Sequence, residues 1–222
     1  FLLLNNNERS TALDLKSEAG IEIASKVVEK ADVVAENLGP GAMDRLGLTW
    51  ENVHKLNPRA VYASVKGFGS YGPYADYKCF ETVAQAMSGA MSVTGYPDTP
   101  MVTGANVGDS GTGMHLAIAI LGALMQRERT GRGQRVEVAM QEAALNLTRT
   151  KYAYTLSTGK PHPRSGNRSG SNVFADLYRC AGDKPTDCVY LFIAPDNPEA
   201  FKALAQIIAR PDLLTDARFN TP

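Results

Sequence analysis

An alternation of apolar runs and helical patterns near the start of the sequence constrains the fold more than any other feature. Ser17 and Thr49 stand where helix caps are expected, and each precedes a segment with a helical pattern. The predicted elements, in the order helix, strand, short helix, helix and strand, are residues 17–30, 31–37, 39–48, 49–58 and 60–68. Strands that alternate with helices in this way are typical of a parallel α/β sheet.

The middle of the chain continues the same pattern. Small residues over 83–93 predict a closely packed helix, and a longer helix is predicted over 110–129. The glycine turn that follows leads into an alternating strand at 134–140, and another helix is predicted over 141–158. We therefore assign residues 1–155 to one large α/β domain.

The composition changes after this region. Residues 156–172 are rich in glycine, serine and proline, so they are predicted to form a linker and loop. Residues 173–222 then contain two short strands of an antiparallel pair and an amphipathic helix capped by Asn197. We expect this segment to be the beginning of a smaller α+β domain, and the whole chain to be part of a longer protein.

Charge and cysteine content exclude several classes of function. Lysine plus arginine and aspartate plus glutamate both total 23, so the balanced charge argues against nucleic-acid or anionic-membrane binding. The scattered Cys79, Cys180 and Cys188 indicate no disulfide framework and no metal site, and they suggest a reducing cytoplasm. Because no apolar stretch reaches about 20 residues, no membrane span is predicted.

Asp109 is the strongest candidate for chemistry. It lies among Gly108, Gly111 and Gly113 at the start of the long predicted helix. Aspartate is a good helix N-cap, so a purely structural role is one interpretation. The other is that the helix dipole holds an accessible carboxylate ionised, ready to attack an activated acyl group. The local sequence leaves both open.

Other polar features are less specific. The glycine-rich stretch 66–73 follows a strand and is consistent with a surface turn. Lys16, Arg45 and Lys78 would each be solvated charges if alone, or phosphate ligands if they converge. Lys78 and Glu81 are three residues apart and could form a simple helical pair.

Six ordered motifs together resemble the class III CoA-transferase family (CaiB/BaiF type), above all its members that use formyl-CoA and oxalate. The motifs are NNNERSTALDLK, ADVVAENLGPGAMDRLGL, LNPRAVYASVKGFGSYGP, FETVAQAMSG, VGDSGTGMH and RTGRGQRVEVAMQEA. The resemblance implies a Rossmann-like large domain, an interlocked homodimer and no prosthetic group. It also implies that CoA moves from an acyl-CoA to a small carboxylic acid such as oxalate, with Asp109 as the nucleophile.

The resemblance implies further site residues. Glu81 matches the acidic residue near the nucleophile, and Gly166, Ser169 and Gly170 belong to a loop expected to close over the acyl group. The residues that match CoA-binding positions are Leu13, Asp14, Leu15, Lys16, Asn37, Leu38, Gly39, Arg45, Lys78, Cys79 and Phe80.

Two alternatives differ in function from a transferase. Racemases of the family carry a histidine where this chain has Phe80, and racemisation needs an acid and a base that exchange a proton. The absence of that histidine argues against a racemase or epimerase. The other alternative is a CoA-binding fragment without catalytic activity.

Overall fold

A computed structural model describes residues 5–169, 172, 174–194 and 196–219. The helices are α1 (Glu18–Val28), α2 (Ala42–Arg45), α3 (Trp50–Leu56), α4 (Glu81–Met87), α5 (Asp109–Thr130), α6 (Met140–Leu147), α7 (Arg149–Thr158) and α8 (Pro198–Ile207). The strands are β1 (Val33–Glu36), β2 (Val61–Lys66), β3 (Gly95–Tyr96), β4 (Thr99–Pro100), β5 (Arg135–Ala139), β6 (Asp176–Arg179) and β7 (Cys188–Leu191).

The described residues divide into two compact units. The first contains residues up to 91 together with 102–159, and the second contains 92–101 together with the residues from 160 onward. The short segment 92–101, which the sequence leaves inside the large domain, thus groups with the later residues. The predicted domain limits at 155 and 172 stay a prediction.

A three-stranded parallel sheet organises the first unit, which confirms the α/β fold class. The strand order is β1, β2, β5, and both pairings are parallel. The first four residues of β2 are buried, because this central strand has a neighbour on each side. Residues that leave β1 and β2 at their carboxyl ends therefore emerge at one edge of the sheet, where ligands of parallel α/β folds usually bind.

The helix caps near the chain start are confirmed. The Ser17 hydroxyl accepts a hydrogen bond from the amide of Gly20, and the Thr49 hydroxyl accepts one from Asn52. Val28 and Val53, from the helices that follow these caps, pack with Ala60 and Tyr62 into one buried cluster. The two predicted helices therefore cover the same part of the sheet.

Helix α5 is the longest element. It ends where Gly131 adopts a left-handed conformation with φ of 72°, as the predicted glycine turn requires. Arg127 on its buried side forms an ion pair with Asp32 at 2.9 Å. One apolar stripe of α5 is exposed to solvent and consists of Met114, Ile118, Leu121 and Met125.

Two predicted helices differ from the structure. The helix predicted over 83–93 begins earlier, at Glu81, and ends at Met87, because Gly89 takes a left-handed φ of 82°. The helix predicted over 141–158 is interrupted at Thr148, whose hydroxyl donates to backbone carbonyls of α6 at 3.1 Å. Such side-chain bonds compete with regular helical geometry.

The second unit contains the predicted antiparallel pair. Strands β6 and β7 pair in antiparallel register, and the Asn197 side chain caps α8 by accepting from the amide of Ala200. Residues 92–101 form the small β3–β4 hairpin. Arg164 donates to backbone carbonyls on that hairpin segment, so the guanidinium joins it to the later residues.

Candidate active site

A cleft of about 620 Å³ opens at the carboxyl ends of β1 and β2 and beside the first turn of α5. Its walls come from the turn after β1, the segment before α4 and the start of α5. The lining residues are Asn37, Leu38, Gly39, Pro40, Val65, Lys66, Gly67, Ala75, Tyr77, Lys78, Cys79, Phe80, Asp109, Thr112, Gly113 and Met140.

Asp109 is the first residue of α5 and is exposed in this cleft. The N-cap position belongs to Gly108, and the described structure contains no side-chain cap for this helix from its own N-cap residue. The structural interpretation of Asp109 as the N-cap is therefore wrong. Its carboxylate instead faces the space where a ligand could approach.

The carboxylate of Glu81 performs the capping from a different helix. Oε2 of Glu81 accepts the amide N–H of Asp109 at 2.6 Å, and Oε1 accepts that of Gly108 at 3.0 Å. These amides are among those that a helix start leaves without partners in the helix. Because a charged acceptor binds them, the first turn of α5 is held against the start of α4.

Gln85 orients Glu81 and is a residue that the sequence analysis missed. Its side chain is almost fully buried; Nε2 donates to Oε1 of Glu81 at 2.7 Å, and Oε1 accepts from the amide of Thr103 at 2.8 Å. A glutamine four residues after a glutamate was the only signal available, and that spacing is common in helices. Recognition of its role required the contact with residue 103.

The pKa values of the two carboxyls are shifted in opposite directions. Burial raises the pKa of Asp109, and the nearby negative charge of Glu81 raises it further. Burial also opposes ionisation of Glu81, but hydrogen bonds from Gln85 and from the amides of Asp109 and Gly108 outweigh it and lower its pKa. The dipole was expected to favour ionised Asp109. That expectation differs from the structure, because Glu81 already occupies the amides at the helix start.

The residues expected to bind CoA are distributed over two spaces. Asn37, Leu38, Gly39, Lys78, Cys79 and Phe80 line the cleft with Asp109. Leu15, Lys16 and Arg45 line a second, more open groove of about 770 Å³ between α1 and α2. The turn after β1 leads directly into α2, so both spaces border one continuous stretch of chain.

Two of the expected CoA-binding residues line neither space. Leu13 is partly buried, and Asp14 forms local hydrogen bonds. The carboxylate of Asp14 accepts from the amide of Lys16 at 3.0 Å, and its carbonyl accepts from the Ser17 hydroxyl at 2.8 Å. Asp14 therefore shapes the turn that presents Lys16, and direct contacts of Leu13 and Asp14 with CoA stay a prediction.

The predicted substrate loop belongs to the second unit. Gly166 has a left-handed φ of 59° and donates its amide to the carbonyl of Gly95 at 2.8 Å. Ser169 donates its amide to Ala175 at 2.8 Å. Gly170 lies outside the described residues. Closure of this loop over an acyl group stays a prediction.

None of the described residues that line the cleft is a histidine. His115 lies on α5, but Nδ1 contacts the carbonyl of Gly111 at 2.6 Å and Nε2 contacts the Asn146 amide at 2.7 Å. Because Gly111 offers only an acceptor, the ring donates from Nδ1 and accepts at Nε2. Both ring nitrogens are thus engaged in contacts within the protein.

Two features are absent from the described part of the chain. It contains no group of three or more histidine, cysteine, aspartate or glutamate residues that could hold a metal ion. None of its helices has the length and apolar character needed to cross a membrane.

Several known proteins are similar to this chain in sequence and in fold. The family model described as CoA-transferase family III matches residues 1–222. Two relatives named formyl-CoA:oxalate CoA-transferase, from Streptomyces avermitilis and Streptomyces coelicolor, are 48% and 49% identical over the whole chain. The chain spans 57% of the length of each.

Two solved structures have a fold similar to that of this chain. A CaiB/BaiF family protein from Brucella suis is 32% identical, with a TM-score of 0.85 over 98% of this chain and 56% of that one. A hypothetical protein from Mycobacterium tuberculosis is 28% identical, with a TM-score of 0.80 over the same shares. From the sequence match and the shared fold together, the chain belongs to CoA-transferase family III.

Proposed function

We propose that the protein is a CoA-transferase that moves CoA from formyl-CoA to oxalate, with Asp109 as the nucleophile. The observation that carries the proposal is the exposed Asp109 carboxylate in a cleft lined by residues at family CoA positions. The names of the similar Streptomyces enzymes support the two substrates. The segment covers little more than half of those enzymes, so the activity is proposed for the protein that contains it.

The first half of the reaction loads CoA onto Asp109. Its carboxylate attacks the thioester carbonyl of formyl-CoA; a C–O bond forms, the C–S bond breaks, and CoA thiolate leaves. The product is a mixed anhydride of formate and Asp109. The thiolate then attacks the aspartyl carbonyl of this anhydride, and formate leaves. Asp109 is now an aspartyl-CoA thioester, and the electron pairs balance without another reactant.

The second half transfers CoA to the acceptor acid. A carboxylate of oxalate attacks the aspartyl thioester. A second mixed anhydride, between oxalate and Asp109, forms as CoA thiolate leaves. The thiolate attacks the oxalyl carbonyl, so oxalyl-CoA forms and the Asp109 carboxylate is regenerated. Lys78 lines the cleft and is exposed, so its ammonium is suited to meet an anionic part of either substrate.

Glu81 supports this cycle by holding the backbone of Asp109. The nucleophile changes from a carboxylate to a neutral ester-like group and back, so its position must not depend on its own charge. Because Glu81 binds the amides of Gly108 and Asp109, the start of α5 stays anchored in every state of the cycle. The Asp109 side chain is then available to react.

A racemase remains less consistent with this cleft than a transferase. Exchange of an α-proton needs two groups that can give and take it. Phe80 stands at the position of the racemase histidine, and the His115 ring contacts Gly111 and Asn146. Deuterium incorporation at the α-carbon of a branched acyl-CoA would favour the racemase instead.

The decisive experiment replaces Asp109 by asparagine. Because the nucleophile is lost, turnover of formyl-CoA and oxalate should fall by at least roughly 10³-fold. The dissociation constant of CoA should change by less than about threefold, since the side chain reacts rather than binds. Hydroxylamine added to wild-type protein and formyl-CoA should leave a hydroxamate on Asp109, detected by mass spectrometry.

Asp183→Asn is the matched control, because Asp183 is an exposed aspartate of the second unit. It should retain full turnover. Substantial turnover by Asp109→Asn would refute the proposed nucleophile, and CoA binding without any adduct on wild-type protein would favour the non-catalytic alternative.

Two further parts of the proposal concern the whole protein. The family resemblance implies an interlocked homodimer, which light scattering on the purified protein should detect as twice the monomer mass. The proposed location is the cytoplasm, and fractionation of the source cells should recover the activity there. A monomeric mass or activity in the membrane fraction would contradict these two parts.

A further inference from the structure

A largely buried ion pair lies in the wall of the active-site cleft, and neither partner was expected to have a role. Glu36 ends β1 and Lys66 ends β2, so the parallel strands bring both to the same edge of the sheet. Nζ of Lys66 lies 2.8 Å from Oε1 of Glu36, and their side chains are only 17% and 4% exposed. Burial of two charges costs free energy unless their mutual attraction and further hydrogen bonds offset the loss of hydration.

The pair holds both backbone polar atoms of Leu38. Oε2 of Glu36 accepts the Leu38 amide at 2.9 Å, and the Lys66 ammonium donates to the Leu38 carbonyl at 3.1 Å. Leu38 lies in the middle of the turn formed by residues 37–40, which is one wall of the cleft. An ion pair anchored on two strands is therefore hydrogen-bonded to the backbone of a turn outside the sheet.

The Lys66 ammonium is engaged by groups of the protein itself. An ammonium group has three N–H donors. Nζ donates to Oε2 of Glu36 and to the Leu38 carbonyl, both at 3.1 Å, and Oε1 of Glu36 lies 2.8 Å away in the ion pair. Lys66 lines the cleft, but its charge is used by the protein itself. This distinguishes it from Lys78, for which the described residues provide no ion pair.

The backbone next to Lys66 is tied to β5 and to the start of α6. Lys66 is the last residue of the central strand and is paired with Ala139, and the carbonyl of Gly67 accepts the amide of Gln141 at 3.1 Å. A position fixed in this way can hold a less regular segment in place. The 37–40 turn itself has no strand partner beyond Glu36 among the described residues.

We propose that Glu36 and Lys66 are positioning residues that hold the 37–40 turn in the shape that binds the CoA thioester. The inference rests on the proposed function, since it takes the cleft as the CoA site. The pair acts on CoA through the turn and touches neither the acyl group nor Asp109. Its loss should therefore weaken CoA binding much more than it slows the chemical steps.

The test compares Lys66→Met, Glu36→Gln and the double variant in the protein. For Lys66→Met, the dissociation constant of CoA by calorimetry and the KM for formyl-CoA should rise at least about tenfold, or about 1.4 kcal/mol. At saturating formyl-CoA, kcat should stay within about threefold. The double variant should bind CoA more tightly than Lys66→Met, because it leaves no unpaired buried carboxylate.

Lys202→Met is the matched control. Lys202 has an exposed partner, Glu199, at 3.8 Å in the second unit, so its loss should leave both constants unchanged. If Lys66→Met does not fold, Glu36→Gln decides the question, because glutamine keeps an acceptor for the Leu38 amide. A rise of about threefold or more in the CoA dissociation constant of that variant supports the proposal.

Unchanged CoA affinity in a folded variant, or a fall in kcat equal to the rise in KM, would overturn the positioning role. A different result would refute the proposed function: wild-type protein that binds CoA but forms no Asp109 adduct. In that case the dissociation constants of the variants would still decide the role of the Glu36–Lys66 pair. Wild-type protein that does not bind CoA would overturn both.

Discussion

At the scale of single residues, Glu81 caps α5, a role that one of the two interpretations of the sequence gave to Asp109. Its carboxylate binds the first amides of the helix, and its negative charge raises the pKa of Asp109. For Glu81→Gln we expect the pKa of Asp109 to fall, so the acid limb of the kcat/KM profile should move to lower pH. We also expect kcat to fall by about tenfold, because a neutral amide anchors the helix start less firmly.

The same variant tests the pKa shift of Glu81 through stability. The folded protein lowers this pKa, so ionised Glu81 stabilises the fold above its unfolded pKa, and this contribution is lost as pH falls through the folded value. Glu81→Gln should therefore be destabilised in urea at neutral pH and match wild type in acid. An equal deficit at both pH values would contradict the shift.

At the scale of elements, two glycines that lie within helices have opposite surroundings. A Cβ at Gly122 in α5 would meet no atom within 4 Å, whereas one at Gly20 in α1 would lie 1.9 Å from the Asp14 carbonyl oxygen. We expect Gly122→Ala to raise the free energy of unfolding by about 0.5–1 kcal/mol, since alanine is the better helix former. Denaturant unfolding measures it.

Gly20→Ala is the matched comparison. The same gain in helix propensity would be outweighed, because the turn that contains Asp14 must move away, at a cost of about 1–3 kcal/mol. Because that turn also carries Lys16 into the second groove, CoA affinity should fall with the stability. Equal effects at the two glycines would show that propensity alone controls these helices.

At the scale of the whole molecule, the β3–β4 hairpin segment depends on residues about 70 positions later in the chain. The Arg164 guanidinium donates to the carbonyls of Ser92, Tyr96 and Pro97 at 3.0, 2.8 and 2.5 Å. Arg164→Ala removes all three bonds. We expect amide hydrogen exchange in residues 92–101 to accelerate by roughly tenfold or more, measured by mass spectrometry.

Arg168→Ala is the control for this experiment, because Arg168 is an exposed arginine on the same loop and only its backbone is hydrogen-bonded among the described residues. Exchange in 92–101 should stay at the wild-type rate. If Arg164→Ala also leaves that rate unchanged, the hairpin is held by its own ladder and by the Gly166 amide alone.

Local chemistry of the sequence was sufficient for much of the fold. Hydrophobic spacing and short polar caps act between neighbours, so the parallel α/β pattern, the caps at Ser17, Thr49 and Asn197, and the helix that starts at Asp109 were predictable. The helix interrupted at Thr148 was not, because its side-chain bonds replace a regular turn without altering the apolar pattern.

The candidate site could likewise be predicted from the sequence only in part. Its residue types and the family were readable from six ordered motifs, and the family is confirmed. Only the tertiary structure decided that Glu81 caps α5, that Lys16 and Arg45 line a groove of their own, and that Lys66 binds Glu36. Each of these contacts joins residues that only the pairing of strands and packing of helices bring together, and no local propensity encodes a distance of that kind.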